Sequence, residues 1–438
     1  MASPLAGVVR LAAASRALLL ALSLLSRLLF RPYDTSASLH PPCLLPSPSP
    51  NSTTTAANSI ASLAVWDGVH FLRAAECGYE YEQSFAFLPL LPASLNLLAR
   101  SVLAPLVPVL GYRAVLVVSG YVLNNVAFVA AAAYFYRLSV LILKSPSAAY
   151  RASVLFCFNP ASVFYSSLYS ESLYALFSLG GVFYVFTGAN TIAMIMLALS
   201  GSARSNGALN AGYFCFQALL HAYDAAFQKK RPMLAVQVLV TGFLRGVGFL
   251  RYFQVKQLPN FLLASPVLSL AVYSIVHYTK MLRQLFESNS IHELIVATVE
   301  GRSIEAYKSS DVDTVLKSKV STNVTNKAQG NAVAKRRKSV ATETDSNDQI
   351  IEVNKDVCPI VVLPFILHLA FMTFTAFFVM HVQVSTRFLS ASPPIYWAAS
   401  HILVSPSSSK RWGNIICAYF IAYILLGSLL FSNFYPFT

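Results

Sequence analysis

The chain has 438 residues, 56% of them hydrophobic and 11% charged, with a mean hydropathy of +0.57. A soluble domain carries about 25% charged residues, so this much apolar surface needs lipid as its solvent and a string of soluble domains is excluded. The formal charge of +14 does not point to nucleic acid. Lys and Arg gather in short loops, as on the cytoplasmic side of a membrane, and no aromatic-interleaved basic face appears. Cys43, Cys77, Cys157, Cys215, Cys358 and Cys417 show no zinc-type spacing.

Within residues 1–30, the run 11–30 is apolar enough to span a bilayer, which takes about 20 residues. Arg16 and Arg27 weaken that expectation, and the lack of any acid before Asp34 also fits a signal or transit peptide. No small-residue cleavage site follows directly, so a retained first helix is expected. Residues 31–113 form the first loop, expected on the luminal side. Its first half is rich in Pro, Ser and Thr and carries the sequon Asn51-Ser52-Thr53, usable only in the lumen. Only Cys43 and Cys77 share this loop, which leaves room for a disulfide without assigning one. The second half spaces Phe71, Leu72 and Ala75 at helical intervals, as in short amphipathic helices lying at the membrane surface.

Residues 114–279 read as transmembrane hairpins, with spans expected over 114–136, 152–168, 170–187, 190–203, 207–222, 232–249 and 259–279. Arg137, Lys144 and Arg151 mark one cytoplasmic loop, and Lys229-Lys230-Arg231 another. Residues 280–356 are polar, contain Lys335-Arg336-Arg337-Lys338 and are expected to be a largely disordered cytoplasmic insert. The sequon Asn323-Val324-Thr325 then lies on the wrong side for glycosylation. Residues 357–438 hold the last spans, 357–380 and 413–432, for a tally of roughly ten. The fold class is an all-α polytopic membrane protein. With the N-terminus cytoplasmic, the WD stretch near Asp67, Tyr169-Ser170-Glu171, Arg204-Ser205-Asn206-Gly207, Gln257-Leu258-Pro259-Asn260 and the segment from His381 to Phe388 all fall on the luminal face.

The acids are scarce and clustered. Of 18, four are Asp67, Glu76, Glu80 and Glu82, eleven lie between Glu287 and Asp356, and only Asp34, Glu171 and Asp224 remain. Asp67 sits in Trp66-Asp67-Gly68-Val69-His70. Trp66 can anchor depth at the interface, and a carboxylate there can take the proton of a hydroxyl as general base. The plainer reading is a helix N-cap. His70, three residues on, would share its helical face. Glu76 and Glu80 can share a face too, and clustered carboxylates can bind sugar hydroxyls or a metal; for Glu80 and Glu82 a solvated loop is the better reading. Glu171 interrupts an apolar stretch, where a carboxylate is either functional or half of a buried ion pair, with Arg204 as candidate partner. Arg204 and Arg387 can hold a phosphate with two parallel hydrogen bonds, or snorkel to lipid headgroups. Nucleotide-binding loops, H-E-x-x-H and G-x-S-x-G are absent from the sequence, so nucleotide-driven transport and the common hydrolase routes have no support.

The chain resembles the PIG-V-type mannosyltransferase family of glycosylphosphatidylinositol (GPI) assembly. The likeness rests on the Trp66-Asp67 loop closing in Phe85-Ala86-Phe87-Leu88-Pro89, on Asn159-Pro160-Ala161-Ser162-Val163-Phe164 with Tyr169-Ser170-Glu171-Ser172-Leu173, and on Arg204-Ser205-Asn206-Gly207. It continues through Val247-Gly248-Phe249-Leu250-Arg251-Tyr252, His381-Val382-Gln383-Val384 with Thr386-Arg387-Phe388, and Asn433-Phe434-Tyr435-Pro436. The resemblance implies a GT-C-type glycosyltransferase bundle in the endoplasmic reticulum membrane, with a luminal site. It implies dolichyl-phosphate mannose as donor, no cofactor or metal, and a GPI precursor that receives its second, α-1,6-linked mannose with inversion. A small membrane subunit would be a natural partner beside membrane lipids. Asp67 falls on the family's loop acid as catalytic base, assisted by His70. Trp66, Glu76, Glu171, Arg204, Asn206, Gln383 and Arg387 fall at substrate-binding positions. In one place the chain departs from the family. Thr241-Gly242-Phe243-Leu244-Arg245 runs straight into Gly246-Val247 where the family carries a substantial luminal loop. Two other readings stay open: a secondary transporter, although no internal repeat is present, and a catalytically impaired, truncated or non-catalytic member.

Overall fold

Helix α1 (Pro4–Leu29) begins where Ser3 accepts a hydrogen bond from the Ala6 amide and Pro4 presets the first turn. A computed structural model describes it together with residues 32–33, 43, 55–227, 258–288, 359–379, 384–404 and 409–435, the first block being 3–30. The two arginines expected to weaken this helix as a span instead fasten it. Arg16 is buried and donates to the Ser162 carbonyl (3.0 Å), the Cys157 carbonyl (2.9 Å) and the hydroxyls of Ser162 and Ser166. Its guanidinium also lies 3.8 Å from the centre of the Phe128 ring. Arg27 donates to Ser62 (2.8 Å to the carbonyl) and to the Ser432 carbonyl (3.2 Å). A cation inside an apolar helix is tolerated when carbonyls replace its water.

The loop after α1 folds into α2 (Thr55–Ala61), α3 (Asp67–Cys77), α4 (Leu90–Arg100) and α5 (Val107–Leu110). The helices α3 and α4 bury Phe71, Leu72, Ala75, Leu91 and Leu95 against Val115 and Leu116 of α6 (Tyr112–Leu143), which accounts for their amphipathic spacing. A Cys43–Cys77 disulfide closes this cap and ties its polar first half to the end of α3.

Next come α7 (Pro146–Cys157) and α8 (Ser162–Ser166). The span expected over 152–168 is therefore not one helix. Pro160 has no N–H to continue the ladder and disfavours helical backbone at Asn159. Helix α9 (Glu171–Thr187) and α10 (Asn190–Ala203) match the spans expected over 170–187 and 190–203 and are joined by Gly188 in the left-handed region (φ 83°). A 3₁₀ turn, Ser205–Asn210, then leads into α11 (Ala211–Phe227). The expected 232–249 span lies outside the described residues. Helix α12 (Leu258–Ser288) runs beyond 279, so the first residues of the polar insert are helical; most of that insert lies outside the described residues.

The C-terminal part holds α13 (Leu363–Phe378), α14 (Ser385–Leu389), α15 (Pro393–Val404) and α16 (Ser409–Leu430). Helix α15 was not among the expected spans. It is too short to cross a bilayer, but its fully buried Trp397 packs in the core and donates to the Ser139 hydroxyl at 2.8 Å. The main core joins α1, α6, α7, α9, α13 and α15. Among the described residues every regular element is helical. Among the described residues four helices are long and apolar enough to cross a membrane, at 4–29, 112–143, 360–378 and 411–433; a fifth span exists if the bent pair 90–110 counts as one. The described residues alone do not account for a tally of ten. The α7–α8 segment is broken, and α9 and α10 are apolar but short.

Candidate active site

Four elements distant in sequence deliver Asp67, Glu171, Arg204 and Arg387 to one place. Asp67 is the first residue of α3. The residue before it, Trp66, has a positive φ of 53°, costly for a side chain of that size. This backbone bend places Trp66, not Asp67, at the cap position. No side chain caps the helix, so the Asp67 carboxylate is not spent on its own backbone. Its side chain is 45% exposed, and Oδ2 lies 3.3 Å from Nη1 of Arg387.

Glu171 opens α9, where the amide dipoles of the helix favour a negative charge. It is 1% exposed. Its Oε1 receives Arg204 Nη1 and, at 2.8 Å, Arg387 Nε, while Oε2 has no protein partner. The sequence suggested Arg204; the second cation, from α14, was not foreseen as a partner. Arg387 thus bridges the two carboxylates. Its guanidinium rests against the rings of Phe164 and Tyr169, 4.6 Å from each centroid. Burial opposes its charge, but the Glu171 and Asp67 carboxylates outweigh burial and hold its pKa above the ordinary arginine value. Two acids and two arginines leave this quartet formally neutral.

Tyr169 is the residue that sequence reasoning overlooked. It is buried, its hydroxyl oxygen accepts the Asp67 amide hydrogen at 3.0 Å, and its ring supports Arg387. Burial pushes its phenol well above the usual range, so it stays neutral. Its own carbonyl is held by Asn124 at 3.0 Å. The available signal was its place inside the motif that ends in Glu171. Arg204 leads into the turn Ser205–Asn210, which folds tightly over the end of α10. A Cβ at Gly207 would collide with the Ser200 carbonyl and the Gly201 amide, so only glycine fits. Asn206 is 7% exposed, and neither atom of its amide has a protein partner.

The other expected residues lie elsewhere. His70 is exposed, stacks on Phe87 at 4.9 Å and makes no hydrogen bond to Asp67. Trp66 packs against Phe434 at 6.1 Å. Glu76 is nine residues along α3, roughly 13 Å from Asp67, and pairs with Arg113 at 2.5 Å. Glu80 is not a solvated loop residue; it is largely buried and paired with Arg73 at 2.6 Å. Gln383 lies outside the described residues. Among the described residues one group has metal-ligand spacing, Cys43, Cys77 and Glu80, and its two sulfurs are joined to each other.

These features define a helical membrane protein with a carboxylate–arginine quartet in which Glu171 is buried and Asp67 is partly exposed. The pattern of the mannosyltransferase (PIG-V) family matches residues 5–247 and 245–438, so the chain belongs to that family. It is 25% identical to rat GPI alpha-1,6-mannosyltransferase 2, over 98% of each chain. The human protein of the same name is 25% identical over 86% of this chain and 88% of its own. GPI mannosyltransferase 2 of Drosophila pseudoobscura is 26% identical over 87% of each. No solved structure matches the chain. The two matched segments meet at 245–247. The alignment with the rat protein is 537 residues long against 438 here, so a sizeable stretch of that relative has no counterpart in this chain.

Proposed function

We propose that the chain is a mannosyltransferase of GPI assembly that adds the second, α-1,6-linked mannose from dolichyl-phosphate mannose at the luminal face of the endoplasmic reticulum. The observation that carries this reading is the Asp67 carboxylate, free of helix capping and held against Arg387. The names of the relatives, GPI alpha-1,6-mannosyltransferase 2, supply the substrate class.

In this reading the acceptor hydroxyl oxygen attacks C1 of the mannosyl group from the face opposite the phosphate. Asp67 takes the hydroxyl proton. The new C–O bond forms as the C1–O bond to phosphate breaks, and its electron pair leaves on the phosphate oxygen. A β-linked donor gives an α-linked product. Glu171 fixes both arginines through one oxygen. A guanidinium has five N–H donors, so Arg204 and Arg387 keep spare ones for sugar and phosphate oxygens. Asn206 and Glu171 Oε2, buried without partners, suit sugar hydroxyls. Trp66 and His70 border the same loop. A small membrane subunit is proposed as partner on the family's pattern alone.

The test is mannose transfer to the one-mannose GPI precursor in membranes of cells lacking the second mannosyl step. Restored two-mannose product with this chain, lost on Asp67→Asn, supports the reading; no loss on Asp67→Asn removes Asp67 from the mechanism. A second reading is a non-catalytic family member. It is favoured by the break between the two family matches at 245–247 and by the residues of the rat relative that have no counterpart here.

A further inference from the structure

The turn that carries Asn206 and follows Arg204 is fastened to α9 at both ends. At its head Arg204 pairs with Glu171, the first residue of α9. At its foot stands Asn210, the last residue of the turn, which is buried. Its Nδ2 donates to the hydroxyls of Ser178 on α9 (2.8 Å) and Ser200 on α10 (3.1 Å). Those two hydroxyls are bonded to each other at 2.6 Å, and both serines are buried. Glu171 and Ser178 stand two turns apart on one helix, roughly 10 Å along its axis. The turn therefore lies along α9 between two fixed points.

Ser200 is the hub of this arrangement. Its carbonyl accepts the Arg204 amide hydrogen at 3.1 Å, and its hydroxyl meets Asn210 and Ser178. Its carbonyl also fills the space that a Cβ on Gly207 would need. One residue thus meets the turn at its start, its middle and its end.

Buried amides and hydroxyls among apolar helices cost free energy unless they are paired, so the triad Ser178–Ser200–Asn210 calls for a use. Helix association does not require it. Helices α9 and α10 already meet through small residues, Gly180 against Met196 and Gly181 against Leu197, where a Cβ on either glycine would displace its neighbour's side chain. What the triad adds is the register of the turn, because Asn210 is its member outside the two helices. That register sets where the Arg204 guanidinium stands, and a misplacement of about 1 Å can cost a hundredfold in rate.

We propose that Asn210, acting through Ser178 and Ser200, is a positioning residue for Arg204 in mannosyl transfer. It holds the turn so that the spare Arg204 donors and the buried Asn206 amide face the phosphate and sugar of the donor. The assignment rests on the transfer reading above.

The experiment is mannose transfer from radiolabelled donor by the purified full-length chain in detergent, with thermal unfolding of the same preparations. Asn210→Leu removes the amide at nearly constant volume and leaves the two serine hydroxyls bonded to each other. It should lower kcat about tenfold to a hundredfold, with KM within about threefold and an unfolding midpoint close to that of the wild type. A triple variant, Asn210→Leu with Ser178→Ala and Ser200→Ala, replaces every polar member at once, which restores the fold if unpaired hydroxyls disturb it; it should be as slow as Asn210→Leu. The discriminating comparison is with Arg204→Met. Asn210→Leu added to Arg204→Met should cost no more than about twofold, because its effect passes through that guanidinium. A loss of the same size with and without Arg204 overturns the proposal. Loss of activity that only tracks loss of folded protein in both the single and the triple variant overturns it too and makes the triad a plain helix fastening. If the wild type transfers mannose and the variants match it, the positioning role is wrong and the transfer reading stands. If the wild type transfers none, the transfer reading falls and takes the positioning role with it.

Discussion

Tyr169 holds the backbone of Asp67 by accepting its amide hydrogen at 3.0 Å, while its ring lies against the arginine that touches the Asp67 carboxylate. One buried side chain thus sets both the position of the acid and the cation beside it. Tyr169→Phe removes the acceptor and keeps the ring. A lost hydrogen bond of about 1.4 kcal/mol is tenfold in rate, so turnover should fall about tenfold with KM little changed. Tyr169→Leu, which also loses the ring, should fall further. Steady-state mannose transfer by the two variants checks this.

Asp67→Asn should lower transfer by about 10²–10⁴, the range for a positioned general base. The protein should fold as before, because the carboxylate caps nothing and is 45% exposed. Product formation per folded molecule is the measure, with thermal unfolding as the control.

Glu171→Gln leaves two largely buried arginines facing a neutral group. Breaking a buried pair from one side costs about 3–5 kcal/mol, so the amount of folded protein should fall sharply. Arg204→Met added to Glu171→Gln should recover part of the loss, since it removes one of the orphaned charges. Unfolding midpoints of the single and double variants give the coupling.

Cys43→Ser or Cys77→Ser should destabilise the cap over α6 by about 2–4 kcal/mol, the usual worth of a disulfide. Either variant should change the non-reducing gel mobility in the same way. A fully reduced pair in cell-derived protein would argue against an oxidising, luminal environment for this loop.

The junction of the two family matches at 245–247 makes a separate prediction. Inserting between Arg245 and Gly246 the residues of the rat relative that have no counterpart in this chain should raise mannose transfer above that of the chain as it stands. Equal activity with and without the insertion would mean that those residues are dispensable.

Several features could be read from residues alone. Composition required lipid, because 56% hydrophobic residues cannot be covered by 11% charged ones. Helical spacing marked the buried face of α3, and the spans expected over 170–187 and 190–203 lie within a residue of the observed ends of α9 and α10. Scarcity of carboxylates singled out Asp67 and Glu171, since an isolated acid in an apolar stretch is expensive. Local pattern failed where a side chain's fate depends on a distant partner. Arg16 and Arg27 looked like defects in a span until carbonyls from residues 62 to 432 were brought to them. Glu76 looked like a site residue until Arg113 took it. The joining of Asp67 to Glu171 through Arg387, 320 residues from the first and 216 from the second, was decided only by the tertiary structure. Sequence sets which groups are costly to bury; only the packed chain decides which opposite charge is near enough to offset that cost.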